Sequence, residues 1–278
     1  VKLGIMQGRL VAPEGGRFQS FPRERWRDEF ALAAAAGLET IEWIYDAYGE
    51  DVNPIGTESG AREIERLALL HGVSIESVCA DWFMDFPLLG ARSEQTRERW
   101  LRLDWLMRRC APLNIDRIVL PFVDASAIGG MDDAAVVAAG INSLSPLIES
   151  TGVELHLETS LSPTQFDALL ALCPHPGVKV NYDSGNSASL GYRPLEEFTA
   201  YGARVGSVHL KDRRRSAGTV PLGEGDADFG ALFECLNAVK YHGNFILQVA
   251  RGTDGEELAW TRRNVRTARQ WMSRLEGP

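Results

Sequence analysis

The sequence predicts one soluble (β/α)8 barrel, a TIM barrel of the α/β class that spans residues 1–278 as a single domain. Three observations predict it. Short β-branched runs alternate with amphipathic stretches, eight of each, which is the pattern of repeated βα units. The length of 278 residues lies a little above the ~250 typical of such barrels. No G-x-G-x-x-G follows the first strand, which removes the main nucleotide-binding alternative, an open doubly wound sheet.

The elements follow in order. A strand at residues 2–6 leads to a helix over 23–36, stopped by Ala36-Gly37. The second unit pairs 39–44 with a helix over 59–71, stopped at His71-Gly72. Strand 73–79 precedes helix 93–110, and strand 117–121 precedes helix 132–150, closed at Thr151-Gly152. Strand 153–158 precedes helix 163–172, and strand 178–183 precedes helix 195–202. The last two units pair 205–210 with 228–240, stopped at His242-Gly243, and 244–249 with 255–275. A glycine just past a helix supplies the left-handed residue that ends it.

Composition bounds the function. Hydrophobic residues make up 45% and charged residues 24%, as in an ordinary globular enzyme. Lys+Arg number 29 against 38 Asp+Glu, so the formal charge is −9, and nucleic acid is not the expected partner. Cys79, Cys110, Cys173 and Cys235 are far apart and form no C-x-x-C, so they are expected as reduced structural thiols. The chain opens directly on a strand and has no run of ~18 apolar residues. A cytoplasmic protein with no membrane partner is the expectation, compatible with a homo-oligomer.

Alternate residues of a strand face opposite sides. In residues 153–158 one face is Val, Leu, Leu and the other Glu154, His156, Glu158. In residues 178–183 the polar face is Lys179, Asn181, Asp183, and in 244–249 it carries Asn244 and Gln248. The apolar faces belong under the helices, so the polar ones point into the barrel. Barrel interiors are usually branched aliphatics. Burying these groups is costly without pairing, so such an interior suggests support for a charged site.

Glu158, Asp183, His209 and Gln248 occupy the same place in successive units, the C-terminal end of an inward-facing strand position. Active sites of these barrels form at that face. Two carboxylates, an imidazole and a carboxamide oxygen suit one divalent ion, Mn²⁺, Mg²⁺, Co²⁺ or Zn²⁺. A lone strand-end Asp is usually a helix cap; four such residues on adjacent strands point instead to a metal site.

The segments KLGIMQGRL, IEWIYD, SVCADWFMD, IVLPFVD, LHLETS, NYDSGN, VHLKD, PLGEGDADF and ILQVARG resemble the xylose-isomerase-like barrel family, nearest its sugar phosphate isomerase/epimerase branch. The resemblance runs from Val1 to about Arg251. It implies one divalent metal held by a Glu, an Asp, a His and a second Glu, which fall on Glu158, Asp183, His209 and position 248. Gln248 departs from that pattern. A carboxamide can ligate through its oxygen but cannot relay a proton.

Other strand-end residues are expected to contact substrate: Gln7 and Arg9 after strand one, Glu42 on strand two, Trp82 and Phe83 after strand three, and Asn186 after strand six. Lys211, Arg215 and Arg251 follow strands seven and eight, the usual phosphate cradle of the fold. Family resemblance implies that an Arg six residues after the metal His, Arg215, contacts the sugar. His71, His175 and His242 are read as structural.

The expected activity is isomerisation or epimerisation of a small sugar or sugar phosphate. Glu158 removes the proton alpha to the carbonyl, and the metal and Lys211 hold the ene-diolate, with Gln248 completing the set. Glu42 and Asp212 are the next candidates for a base. With one ligand carboxylate able to shuttle a proton, one-base isomerisation is favoured over two-base epimerisation. The alternatives are a dehydratase of a polyhydroxy ketone, inosose- or dehydroshikimate-like, and a non-catalytic sugar-binding barrel. The related abasic-site endonucleases need a His-rich zinc cluster, which five His and a charge of −9 fit poorly.

Overall fold

A computed structural model describes residues 1–90 and 94–275. Eight parallel strands close into a barrel: Leu3–Met6, Thr40–Ile44, Ser74–Cys79, Arg117–Phe122, Glu154–Thr159, Val178–Asp183, Val205–Leu210 and Phe245–Leu247. Each pairs with its sequence neighbour, and the last pairs back to the first through Leu3 opposite Phe245. These match the expected strands within a residue or so, except that the eighth ends at Leu247 and leaves Gln248 just beyond it.

The helices lie where the 3.6-residue pattern places them, with instructive departures. The expected helix over 132–150 divides into Met131–Ser143 and Ser145–Thr151. Pro146 is the cause, since its ring cannot continue an i→i−4 ladder. The first helix is shorter than expected, Asp28–Ala36, with turns before it. The third runs over Glu94–Cys110, and residue 93 of the expected span lies outside the described residues. Gly37, Gly72 and Gly152 take the left-handed cap conformation. His242-Gly243 does not end its helix: Phe229–Ala238 stops earlier, and Lys240 carries the positive φ of 53°. All four cysteines are free and buried.

Two helices lie outside the sequence expectation, the single turn Trp82–Asp85 after the third strand and Ser184–Leu190 directly after the sixth. The cap of the second is the one that bears on the site. Asp183 caps it: its Oδ1 accepts from the Asn186 amide at 2.8 Å. The cap fixes which carboxylate oxygen remains for the barrel mouth.

The interior beneath the mouth is polar. Glu154 accepts from Lys179 at 2.7 Å and lies 3.0 Å from Nε2 of His156. Nδ1 of His156 is 2.7 Å from Oγ of Ser207, which in turn lies 2.7 Å from Oδ1 of Asn181. Asn181 then donates to Glu158 at 2.8 Å. A hydrogen-bonded column thus replaces the aliphatic layers on this side. The apolar core, including Leu155, Leu157, Val208 and Leu210, lies between strands and helices.

Candidate active site

Glu158, Asp183 and His209 present donor atoms that all lie within 4.8 Å of one another, and all three are buried. Each has been oriented locally. Glu158 accepts from Asn181 at one oxygen and from Asn186 at the other, at 2.8 and 2.6 Å. Asp183 uses Oδ1 as a helix cap and turns Oδ2 inward. His209 points Nδ1 at Glu158 (3.4 Å) and Asp183 (4.0 Å), while Nε2 lies 2.7 Å from Oε1 of Glu42.

Charge follows from that packing. Burial raises the carboxyl of Glu158, but His209, Lys211 and Asn181 outweigh it and hold it below the ordinary range. Asp183 is raised, by burial first, and its remaining neighbours oppose one another. His209 is held well above its ordinary value by Glu42 and Glu158, against the burial that lowers it.

Two anionic oxygens and an imidazole nitrogen, with the Gln248 carboxamide beside them, fit a divalent cation. The side chain of Lys211 brings its charge to this place. Its ammonium lies 3.3 Å from Asp183 Oδ2, 3.3 Å from Gln248 Oε1 and 3.2 Å from Asn186 Oδ1. Gly185 makes the approach possible, since a Cβ there would stand 2.6 Å from Cγ of Lys211.

The site opens into a cavity of about 440 Å³ whose lining includes Gln19, Asp81, Met84, Glu158, Asn186, Lys211, Arg213 and Gln248. Several residues expected to contact substrate are placed elsewhere. Arg9 donates to the carbonyls of Val249 and Phe18 and to Gln19, at 3.0, 2.7 and 2.9 Å. Arg251 donates to the carbonyls of Phe18, Val11 and Gly8, at 2.9, 3.2 and 2.9 Å. Both therefore fasten the loop after strand one instead of facing the cavity. Arg215 is exposed and does not line the cavity, whereas Arg213 reaches it and donates to Asn186 at 2.8 Å.

Glu42 is wholly buried behind His209, 2.7 Å from its Nε2, and does not line the cavity. Gln7 is also fully buried, with Oε1 accepting from the Ile44 amide at 2.9 Å. Trp82 and Phe83 are buried, packed edge to face with ring centroids 5.3 Å apart, and neither lines the cavity; the Trp82 indole donates to Glu50 at 2.8 Å. Asp212, the reserve base, is fully buried and accepts from the amides of Gly223, Gly225 and Ala227 at 2.8, 2.9 and 3.1 Å. It organises a loop and does not line the cavity. Sequence reasoning missed Gln19 and Asp81, of which only Asp81 carried a signal, an acidic residue just beyond the third strand. Arg213 belongs to the run Arg213-Arg214-Arg215, in which sequence alone does not fix which guanidinium enters the cavity.

The family described as "Xylose isomerase-like TIM barrel" matches residues 30–275. Among curated proteins, the chain is 25% identical over 244 residues to "Putative L-ribulose-5-phosphate 3-epimerase SgbU" of Escherichia coli strain K12, covering 81% of this chain and 83% of that one. It is 26% identical over 285 residues to an inosose dehydratase of Clostridium perfringens, covering 89% of each. The fold is shared with the crystal structure of "IOLI protein with a binding zinc atom", at a TM-score of 0.78, 15% identity and 100% coverage of both chains.

Proposed function

The chain belongs to the xylose isomerase-like TIM barrel family, and from that premise we propose that it is a divalent-metal-dependent isomerase or epimerase of a small, unphosphorylated polyhydroxy ketone. The observation that carries the reading is the Glu158 carboxylate, held by two side-chain amides at the edge of the cavity beside Asp183 and His209.

Glu158, Asp183, His209 and the oxygen of Gln248 would hold the metal, as the zinc-bound IOLI relative in fold suggests. When bound, the ion would polarise a substrate carbonyl and its neighbouring hydroxyl. The chain's own groups do the rest. Glu158 removes the proton alpha to the carbonyl, and its two amide donors keep the carboxylate aimed. The Lys211 ammonium supports the negative charge that develops on oxygen. Gln248 and Asn186 offer carboxamides to substrate hydroxyls.

The absence of phosphate from the substrate is argued from charge. The cavity is lined by the carboxyl groups of Asp46, Asp81, Asp85, Asp124 and Glu158 against the cations of Arg17, Lys211 and Arg213. Each cation already has partners: Arg17 lies over the Tyr48 ring at 4.3 Å, and Arg213 donates to Asn186 and Ala217. The glycine-rich loop after strand seven could cradle a phosphate with its amides. Asp212 already fills that position.

The test is hydrogen exchange at the alpha carbon in deuterated water, across ketoses with and without phosphate, in the presence of Mn²⁺. Exchange is expected with free ketoses and is lost in Glu158→Gln. Exchange confined to phosphorylated ketoses would refute the substrate class, and no exchange with any ketose would refute the reaction. Release of water with formation of an enone would identify instead a dehydratase, the activity named for the Clostridium relative.

A further inference from the structure

Resting on that reading, we propose that Asp81 is the second proton-transferring carboxyl group of the site, acting on the face of the substrate carbon opposite Glu158.

The need arises from Gln248. A carboxamide there can bind but cannot carry a proton, so the ligand set offers a single acid/base group. Glu158 comes from the fifth strand, and the strand diametrically across the closed ring is the first. The loop after that first strand supplies Gln19, which links two cavity residues. Gln248 donates to Gln19 Oε1 at 3.0 Å, and Gln19 Nε2 donates to Asp81 Oδ2 at 2.7 Å. Asp81 itself follows the third strand, two places round the ring from the fifth; it lines the same cavity as Glu158 and, through Gln19, is tied to the position where a second base would otherwise stand.

Its surroundings suit proton transfer better than structure-holding. Asp46, also in the cavity wall, has its carboxylate committed to the backbone amides of Phe21 and Gly49 at 2.9 and 2.8 Å. Asp81 accepts only from a carboxamide and, at 3.1 Å, from the Cys79 thiol, and makes no ion pair among the described residues. Burial, with neighbouring Asp46 and Glu158, pushes it up to about 6, against the hydrogen bonds from Gln19 and Cys79. A group poised near neutrality can both give and take a proton.

Glu158 takes the alpha proton, and the C–H pair becomes the double bond of the ene-diolate. As the carbonyl re-forms, the same carbon takes the proton from the Asp81 carboxyl, whose O–H bond breaks. The product is the epimer, with Glu158 protonated and Asp81 ionised. Exchange with water restores both, and the reverse reaction uses them in opposite roles. The sequence alone favours one-base isomerisation; Asp81 turns the preference to two-base epimerisation.

The test compares the full chain with Asp81→Asn and Asp81→Glu, each with Mn²⁺ and free ketohexoses in deuterated water. Asp81→Asn is expected to keep metal binding and thermal stability. It should also keep, within a few-fold, exchange of the alpha hydrogen into recovered starting ketose. Epimer formation should fall at least ~100-fold, with partial rescue in Asp81→Glu and, in the direction in which Asp81 gives the proton, loss of the alkaline limb of kcat/KM. Undiminished epimer formation, or parallel loss of exchange and product, overturns the assignment. Failure of the wild type to exchange at all sinks the Glu158 reading instead. A carboxyl NMR titration of Asp81, which needs no substrate, tests its surroundings separately: a midpoint raised above the ordinary aspartate range keeps the proposal, and an ordinary midpoint overturns it.

Discussion

Oε1 of Glu42 lies 2.7 Å from Nε2 of His209, and both side chains are wholly buried. The contact fixes the ring so that the other nitrogen, Nδ1, faces Glu158 and Asp183. A carboxylate behind a ligating imidazole sets its tautomer and raises its basicity, typically changing metal affinity 10- to 100-fold. Glu42→Gln is therefore expected to weaken Mn²⁺ binding by about 10- to 100-fold, read by calorimetric titration. Unchanged affinity in a folded variant would show that His209 is oriented without it.

Gln248 makes the opposite prediction. Two carboxylates would face a bound dication, and Gln248→Glu would supply a third. Divalent-ion affinity should rise, by about 10-fold or more, because a charged oxygen replaces a dipole. The thermal shift on chelation should grow with it, since a ligand that binds only the folded state at 100 times its Kd stabilises by about 2.7 kcal/mol. With Asp81 as the second acid/base, the variant should gain metal affinity without gaining epimerase rate. A large gain in epimerisation would return the missing base to position 248.

Asp212 is a structural anion with three amide donors. Asp212→Ala leaves those amides unpaired and should cost about 3 kcal/mol in urea unfolding. Inorganic phosphate should recover part of that loss by entering the vacated amide cluster. No phosphate-dependent stabilisation of the variant would mean that the loop cannot act as an anion cradle.

Glu154 gives a pH test remote from the ligands. Burial pushes its carboxyl up, but hydrogen bonds and charge from His156 and Lys179 prevail and hold it at about 2, against 4.5 ordinarily. A depressed carboxyl stabilises the fold fully above pH 4.5, and the contribution fades as pH falls through 4.5 towards 2. Allowing for its half-exposed position, Glu154→Gln should destabilise by on the order of 1–2 kcal/mol at pH 7. Denaturant midpoints of the variant and parent should converge near pH 2. A difference that persists there would trace to packing and not to charge.

Much of this was legible in the sequence, for a physical reason. Strand periodicity fixes which side chains share a face, so Glu158, Asp183 and His209 could be grouped before their distances were known. Periodicity says nothing about where a long side chain ends. Arg9 and Arg251 stand beside strand ends as expected, yet their guanidiniums turn to backbone carbonyls of the loops after strands one and eight. Gln19 meets Gln248 across 229 residues of sequence, a contact that no local pattern encodes. Arg213 and Arg215 differ by the loop's path, which the antiparallel pairing of Asp212–Arg213 with Thr219–Val220 decides.

The polar column from Glu154 and Lys179 up to Glu158 decides how portable the site is. Its members hold one another in register, so the aim of the Glu158 carboxylate is inherited from the layer below, through Asn181 and Ser207. Grafting Glu158, Asp183, His209 and Gln248 alone onto a barrel filled with Val, Ile and Leu would set two carboxylates over hydrocarbon, with no amide to steer them. The transplantable unit is the whole stack, and anyone rebuilding this activity in another scaffold would have to move it from the floor upward.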